Sequence, residues 1–123
     1  KPVVGNKKTG NVRDHSLRGN MITTVVQFKL PAPVTREKAK DLYLGTAPKY
    51  QTVEGLIRKY YLLSEDGGTG GGVYLWKSKA HAEKLFTPEW RQFIKERYGA
   101  EPVIQFFESP VLVDNLTREI IKD

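Results

Sequence analysis

From Ile22 to Leu30 the chain reads ITTVVQFKL, with Ile22, Thr24, Val26 and Phe28 on one face and Val25, Gln27 and Lys29 on the other. Period-two alternation in β-branched and aromatic residues predicts a first strand, which Pro31 and Pro33 end. Thr35 then caps a predicted helix whose apolar positions Ala39, Leu42, Tyr43 and Ala47 recur at helical spacing, and Pro48 is expected to kink or end it. A second strand follows from Leu56 to Ser64, where Leu56, Arg58, Tyr60 and Leu62 oppose Ile57, Lys59, Tyr61 and Leu63. Glu65 to Gly72, EDGGTGGG, is expected as a hairpin connection using the positive φ angles open to glycine, and Val73 to Lys77 as a third strand.

Ser78 caps a second helix with Ala82, Leu85 and Phe86 inward, and Thr87-Pro88-Glu89 restarts it with a cap, a first-turn proline and an early acid. Trp90, Phe93, Ile94 and Arg97 share one stripe, and Gly99 is the stop. Val103 to Glu108 predicts a fourth strand ended by Pro110, and the tail from Val111 to Asp123 keeps enough apolar residues to dock. Strand, helix, strand, strand, helix, strand over residues 21–123 is the order of a ferredoxin-like α+β fold. It has a four-stranded antiparallel sheet with both helices on one face. The uncovered face carries apolar and aromatic groups, which predicts a symmetric homodimer.

The 123 residues, 39% of them apolar, suffice for one core without disulfides, and the lack of cysteine removes thiol chemistry. No apolar run is long enough for a membrane span, and no signal-type stretch argues for export, so a cytoplasmic protein is expected. The net charge of +6 divides unevenly: five basic groups against Asp14 in residues 1–20, and a net of only +2 over residues 21–123. With signs interspersed, the domain lacks the dense basic face of a nucleic-acid binder. Residues 1–20, with Gly5, Gly10 and Gly19, His15 and no period, read as a flexible arm. Met21 reads as a natural start, with the arm as an upstream extension; a native basic arm is the alternative. The glycines of 65–72 do not form a phosphate loop, because a strand and not a helix follows them.

The segment GVYLWKSKAHAEKLFTPEWRQFIKERYG, Gly72 to Gly99, resembles the third strand and second helix of the dimeric α/β barrel superfamily. There, an aromatic-Trp-x-Ser strand end precedes a helix and a Ser/Thr-Pro-Glu-aromatic restart. Val53-Glu54-Gly55-Leu56 resembles that superfamily's turn into the second strand, with Glu54 where proline is frequent. Over residues 22–113 the chain is similar to the YdhR-like monooxygenases, relatives of the antibiotic-biosynthesis monooxygenases. The resemblance implies oxygenation of a phenolic or quinol-like aromatic molecule without metal or flavin, in a cavity between sheet and helices. It points to His81 as a base, to Trp76, Tyr60 and Arg91 as further catalytic candidates, and to Tyr43, Arg58, Tyr61, Phe86 and Trp90 as substrate-binding candidates. His81 reads equally as a surface histidine, Trp76 as a cavity wall, and Tyr60 and Tyr61 face opposite sides of their strand. Haem-degrading members of the superfamily place an asparagine and a ligating histidine where this chain has Gln27 and Phe86, and phenylalanine cannot ligate iron. A non-catalytic binding protein for a hydrophobic small molecule, or an isomerase or cyclase on a similar ligand, would need the same cavity.

Overall fold

Ile22, Val26 and Phe28 are each at most 6% exposed and Thr24 is fully buried, while the positions between them are more open, so the alternation of the first strand puts one whole face in the core. The computed structural model describes the backbone of residues 11–14 and residues 20–123 in full. In chain order the elements are β1 (Asn11–Asp14), β2 (Ile22–Lys29), α1 (Arg36–Leu44), α2 (Ala47–Tyr50), β3 (Leu56–Leu63), β4 (Thr69–Trp76), α3 (Lys79–Leu85), α4 (Pro88–Tyr98), β5 (Val103–Glu108), β6 (Val111–Asp114) and β7 (Glu119–Lys122). The main sheet is antiparallel in the order β3-β4-β2-β5. This is the ferredoxin-like arrangement, with the helices packing on the face of Ile22, Val26 and Phe28. Among the described residues no helix is long and apolar enough to cross a membrane.

Each main helix begins at a hydroxyl cap: Thr35 accepts from the Lys38 amide at 3.1 Å, Ser78 from His81 at 3.3 Å and Thr87 from Trp90 at 3.1 Å. Gly99, with φ of 94°, supplies the left-handed stop of α4. Pro48 does not end the first helix. That helix closes at Gly45, and Pro48 sits in the first turn of α2, where its missing N–H has no intrahelical acceptor to lose. Arg97 joins the two halves, donating from Nη2 to the Leu42 carbonyl at 2.7 Å, one of the acceptors left open at the end of α1.

Two expectations for the second hairpin change. The third strand starts at Thr69, so Gly70, Gly71 and Gly72 are strand residues, and only Gly67 of that run takes a positive φ, 77°. Gly70 is there for close approach, since a Cβ would lie 2.6 Å from Phe28 Cε1 and 2.7 Å from the Tyr43 hydroxyl. The β3–β4 register also slips between Leu56 and Arg58. This bulge turns Leu56 to the core side along with Tyr61 and Leu63, instead of leaving it on the Arg58 face.

The tail docks as a hairpin of β6 and β7. Asp114 accepts from Arg58 Nη2 at 3.2 Å, and Asp123 accepts from the Met21 amide at 2.7 Å. Part of the segment expected as an arm is ordered by this hairpin: β1 pairs in parallel with β7, from Asn11 opposite Glu119 to Asp14 opposite Lys122. Such pairing is made by backbone groups and needs no apolar period, so residues 11–14 carry no periodic sign of it. The remainder of the arm, His15 included, lies outside the described residues.

Candidate functional site

The bulge in β3 aims Lys59 and Tyr61 between the sheet and the helices, where a charged side chain is the exception. Lys59 Nζ lies 3.5 Å from the ring centre of Tyr50, 3.7 Å from that of Tyr61 and 4.7 Å from that of Tyr74. Among the described residues it forms no ion pair. Burial, reinforced by the nearby charge of Lys49, pushes the Lys59 ammonium down to about 7.

The phenols around it shift the other way. Burial pushes Tyr61 up to about 12 and raises Tyr43, Tyr50 and Tyr74 above the ordinary tyrosine range. Their hydroxyls are engaged: Tyr43 donates to the Leu62 carbonyl at 2.7 Å, Tyr61 meets Thr46 Oγ1 at 2.7 Å, and Tyr50 accepts from Trp90 Nε1 at 3.0 Å. At neutral pH the site therefore holds neutral phenols around an amine whose charged and neutral forms are close in energy. None of these phenols is an anion that could balance the ammonium.

The space beside Nζ, lined by these tyrosines with Tyr98 and Trp90, is about 10 Å³, room for one water. A second, far larger recess of about 400 Å³ runs between α1 and β3, with Arg36 and Lys40 at its rim and Leu44, Leu62 and Leu63 in its wall. Tyr43 and Tyr61 line both spaces and stack with ring centres 4.5 Å apart. The two rings form the partition between the inner pocket and the open groove.

The candidates expected from sequence fall into three groups. Tyr43, Tyr61 and Trp90 come together at the inner pocket. Trp76 and Phe86 lie behind it in the core. Trp76 is fully buried and donates from Nε1 to Thr24 Oγ1 at 2.9 Å, and Phe86 packs edge-on against Trp90 and Tyr74. The other four line neither space. His81 Nδ1 is 2.7 Å from Ser78 Oγ, and its ring covers the turn at Gly55, whose φ is 81°. Arg91 Nε reaches back to the Phe86 carbonyl at 3.4 Å. Tyr60 is 56% exposed, and Arg58 holds Asp114 below the usual carboxylate range by hydrogen bonding and charge. Lys59, Tyr50, Tyr74 and Tyr98 were not anticipated. For Lys59 a signal existed: it is the one charged residue in the alternating set Ile57, Lys59, Tyr61, Leu63.

Solved structures resemble this fold at low sequence identity. A protein of unknown function from Nitrosomonas europaea superposes with a TM-score of 0.57 at 13% identity, covering 73% of this chain and 89% of that one. A monooxygenase from Streptomyces coelicolor, solved with nanaomycin D, gives 0.55 at 20%, covering 76% and 90%. The cofactor-independent oxygenase SnoaB from Streptomyces nogalater, in a variant form, gives 0.55 at 14%, covering 74% and 94%. At these identities the likeness speaks to fold alone. No curated protein matches the sequence. Residues 24–108 match the family described as "Putative mono-oxygenase ydhR", a span running from the first core strand to the last, and the chain belongs to that family.

Proposed function

We propose that this protein is a cofactor-independent monooxygenase for a phenolic or quinol-like aromatic molecule. The observation that carries this reading is the tyrosine-walled pocket between sheet and helices, one ring away from a groove of about 400 Å³. A pocket for a small organic molecule occupies roughly 300–1,000 Å³, so the groove is the receiving space and the inner pocket is where one polar end of the ligand arrives. The inner pocket is walled mainly by aromatic rings, and the groove adds the aliphatic side chains Leu44, Leu62 and Leu63 on which an aromatic ligand can lie.

The chemistry asked of the protein is modest. Removing the phenolic proton makes the ring electron-rich, and dioxygen then adds at an activated carbon. For an anthrone, the ring CH₂ becomes C=O, one oxygen atom of dioxygen is retained, and the other leaves as water with the two hydrogens. Membership in a monooxygenase family and the fold shared with a cofactor-independent oxygenase support the reading. A homodimer is part of it, with a second copy over the stretch of the outer sheet face that the tail hairpin leaves open, where Val103 is 65% and Phe107 48% exposed.

The test is oxygen consumption against a panel of quinols and anthrones with no added cofactor. Uptake above the uncatalysed rate for at least one compound is expected. Binding without uptake across the panel would replace the oxygenase by a binding protein.

A further inference from the structure

Among the described residues Lys59 is an amine held in the interior with no acid beside it, and aromatic rings face it from every element packed around it. Tyr61 approaches along its own strand β3, Tyr74 from β4 and Tyr50 from α2, all through their ring faces, with Tyr98 of α4 lining the same pocket. Lys49 of α2 is the charged neighbour, and it repels. Three ring faces are a good receptor for an ammonium, because each presents the negative side of its quadrupole. Yet burial without a counter-ion disfavours the charged form, and the surrounding tyrosines are themselves held neutral. The site is built for a cation and lacks the anion to go with it.

We propose that Lys59 is the proton acceptor for a phenolic ligand that reaches Nζ from the α1–β3 groove when the Tyr61 ring turns aside. This rests on the phenolic-substrate reading above. The balance is ArOH + Lys–NH₂ → ArO⁻ + Lys–NH₃⁺: the ligand gives up the O–H proton, keeps the electron pair, and remains beside the new ammonium as its counter-ion. The pair is neutral overall, so it meets a smaller desolvation penalty than either ion alone, and the Tyr50 and Tyr74 rings stay in place to receive the ammonium. The partition explains how a pocket sized for one water serves a larger ligand. Displacing the Tyr61 ring merges the inner space with the groove, and Thr46 Oγ1 is the only hydrogen bond its hydroxyl has to exchange among those of the described residues.

The experiment follows the lysine Cε signals of protein labelled with ¹³C at that carbon, with the Lys59 signal assigned by its disappearance in Lys59→Met, or in Lys59→Gln should the first variant not fold. The probe ligand is 2-naphthol, which reports its own ionisation by absorbance and is kept from oxidation by working under nitrogen. In the free protein the Lys59 signal is expected to titrate near neutrality. With saturating 2-naphthol it should stay at the ammonium position to about two pH units higher, while naphtholate absorbance appears in step. A Lys59 signal that titrates like an exposed lysine, one that 2-naphthol leaves unmoved, or absence of 2-naphthol binding each overturns the proposal. Oxygen uptake separates it from the oxygenase reading. Protonation of Lys59 without uptake on any quinol or anthrone removes the oxygenase and keeps the proton acceptor. Uptake that survives in Lys59→Met within a few-fold removes the acceptor and keeps the oxygenase, where a fall of about a hundredfold is expected.

Discussion

Tyr43 and Tyr61 stack at 4.5 Å with an interplanar angle of 22°, and a hydrogen-bond chain ties the pair to the corner between α1 and α2. The Tyr61 hydroxyl meets Thr46 Oγ1 at 2.7 Å, and that oxygen donates to the Tyr43 carbonyl at 3.1 Å. The partition between pocket and groove is thus anchored at one hydroxyl of a buried threonine.

Tyr61→Phe keeps the ring stack and removes that anchor. A loss of about 1 kcal/mol in unfolding free energy is expected from urea denaturation, the typical worth of one such hydrogen bond. The ring should turn more freely, so 2-naphthol should bind faster in stopped-flow fluorescence. Unchanged stability together with an unchanged association rate would mean that the anchor has no role.

Lys59 makes stability depend on pH in a stated window. Its folded value of about 7 lies below the ordinary lysine value of 10.5, so between those limits the unfolded chain binds more protons and stability rises with pH. This contribution, on the order of a few kcal/mol, is complete above the unfolded value and is lost progressively as pH falls from 10.5 to about 7. Above about pH 10 the tyrosines act the opposite way, because Tyr61 stays protonated to about 12 when folded and stability falls as pH rises. Maximum stability in the alkaline range is therefore expected from urea midpoints at pH 6, 8 and 10. In Lys59→Met the rise from pH 6 to 10 should flatten, with the variant more stable than wild type at pH 6.

His81→Ala is expected to leave oxygen uptake within about threefold of wild type, since His81 lines neither pocket nor groove. Its loss removes the Nδ1 contact to Ser78 but leaves the cap itself, which is made by the His81 backbone amide. Stability should fall by about 1 kcal/mol or less. A drop in uptake of a hundredfold or more would restore His81 as the base.

The outer sheet face yields a prediction about assembly. Sedimentation at micromolar concentration should give a dimer, and Phe107→Glu should shift it to monomer while circular dichroism is retained. A wild-type monomer would remove the dimer from the proposed function.

Much of the architecture could be read in the sequence because local chemistry and global packing agree there. The alternation of Ile22, Thr24, Val26 and Phe28, the hydroxyl caps at Thr35, Ser78 and Thr87, and the left-handed stop at Gly99 each describe a neighbourhood of a few residues. What escaped depends on partners distant in the chain. Gly70 belongs to a strand because Phe28 and Tyr43 occupy the space where a side chain would go, and glycine taken alone signals a turn. The slip at Ile57 is a property of two strands pairing. The site was half legible: Tyr43, Tyr61 and Trp90 were expected at a cavity and line one, while Arg58 and Tyr60 went to the face that receives the tail. Lys59 is hard to read because lysines on strands are usually solvated, and only its apolar neighbours at alternate positions mark it as inward.

The bulge between Leu56 and Arg58 also works as a mechanical joint. On one side of it, the turn at Gly55 is pinned under His81, and its carbonyl accepts from the Lys77 amide at 2.9 Å. On the other, Lys59 and Tyr61 run in regular register with Tyr74 and Gly72. Because the extra residue already takes up a mismatch in length, strain arising in residues 51–55 can be absorbed at Ile57 before it reaches the amine. A change in the length of residues 51–54 can therefore be taken up at the bulge while Gly55 stays fixed by its positive φ and the ring over it, and Lys59 and Tyr61 keep their register with β4.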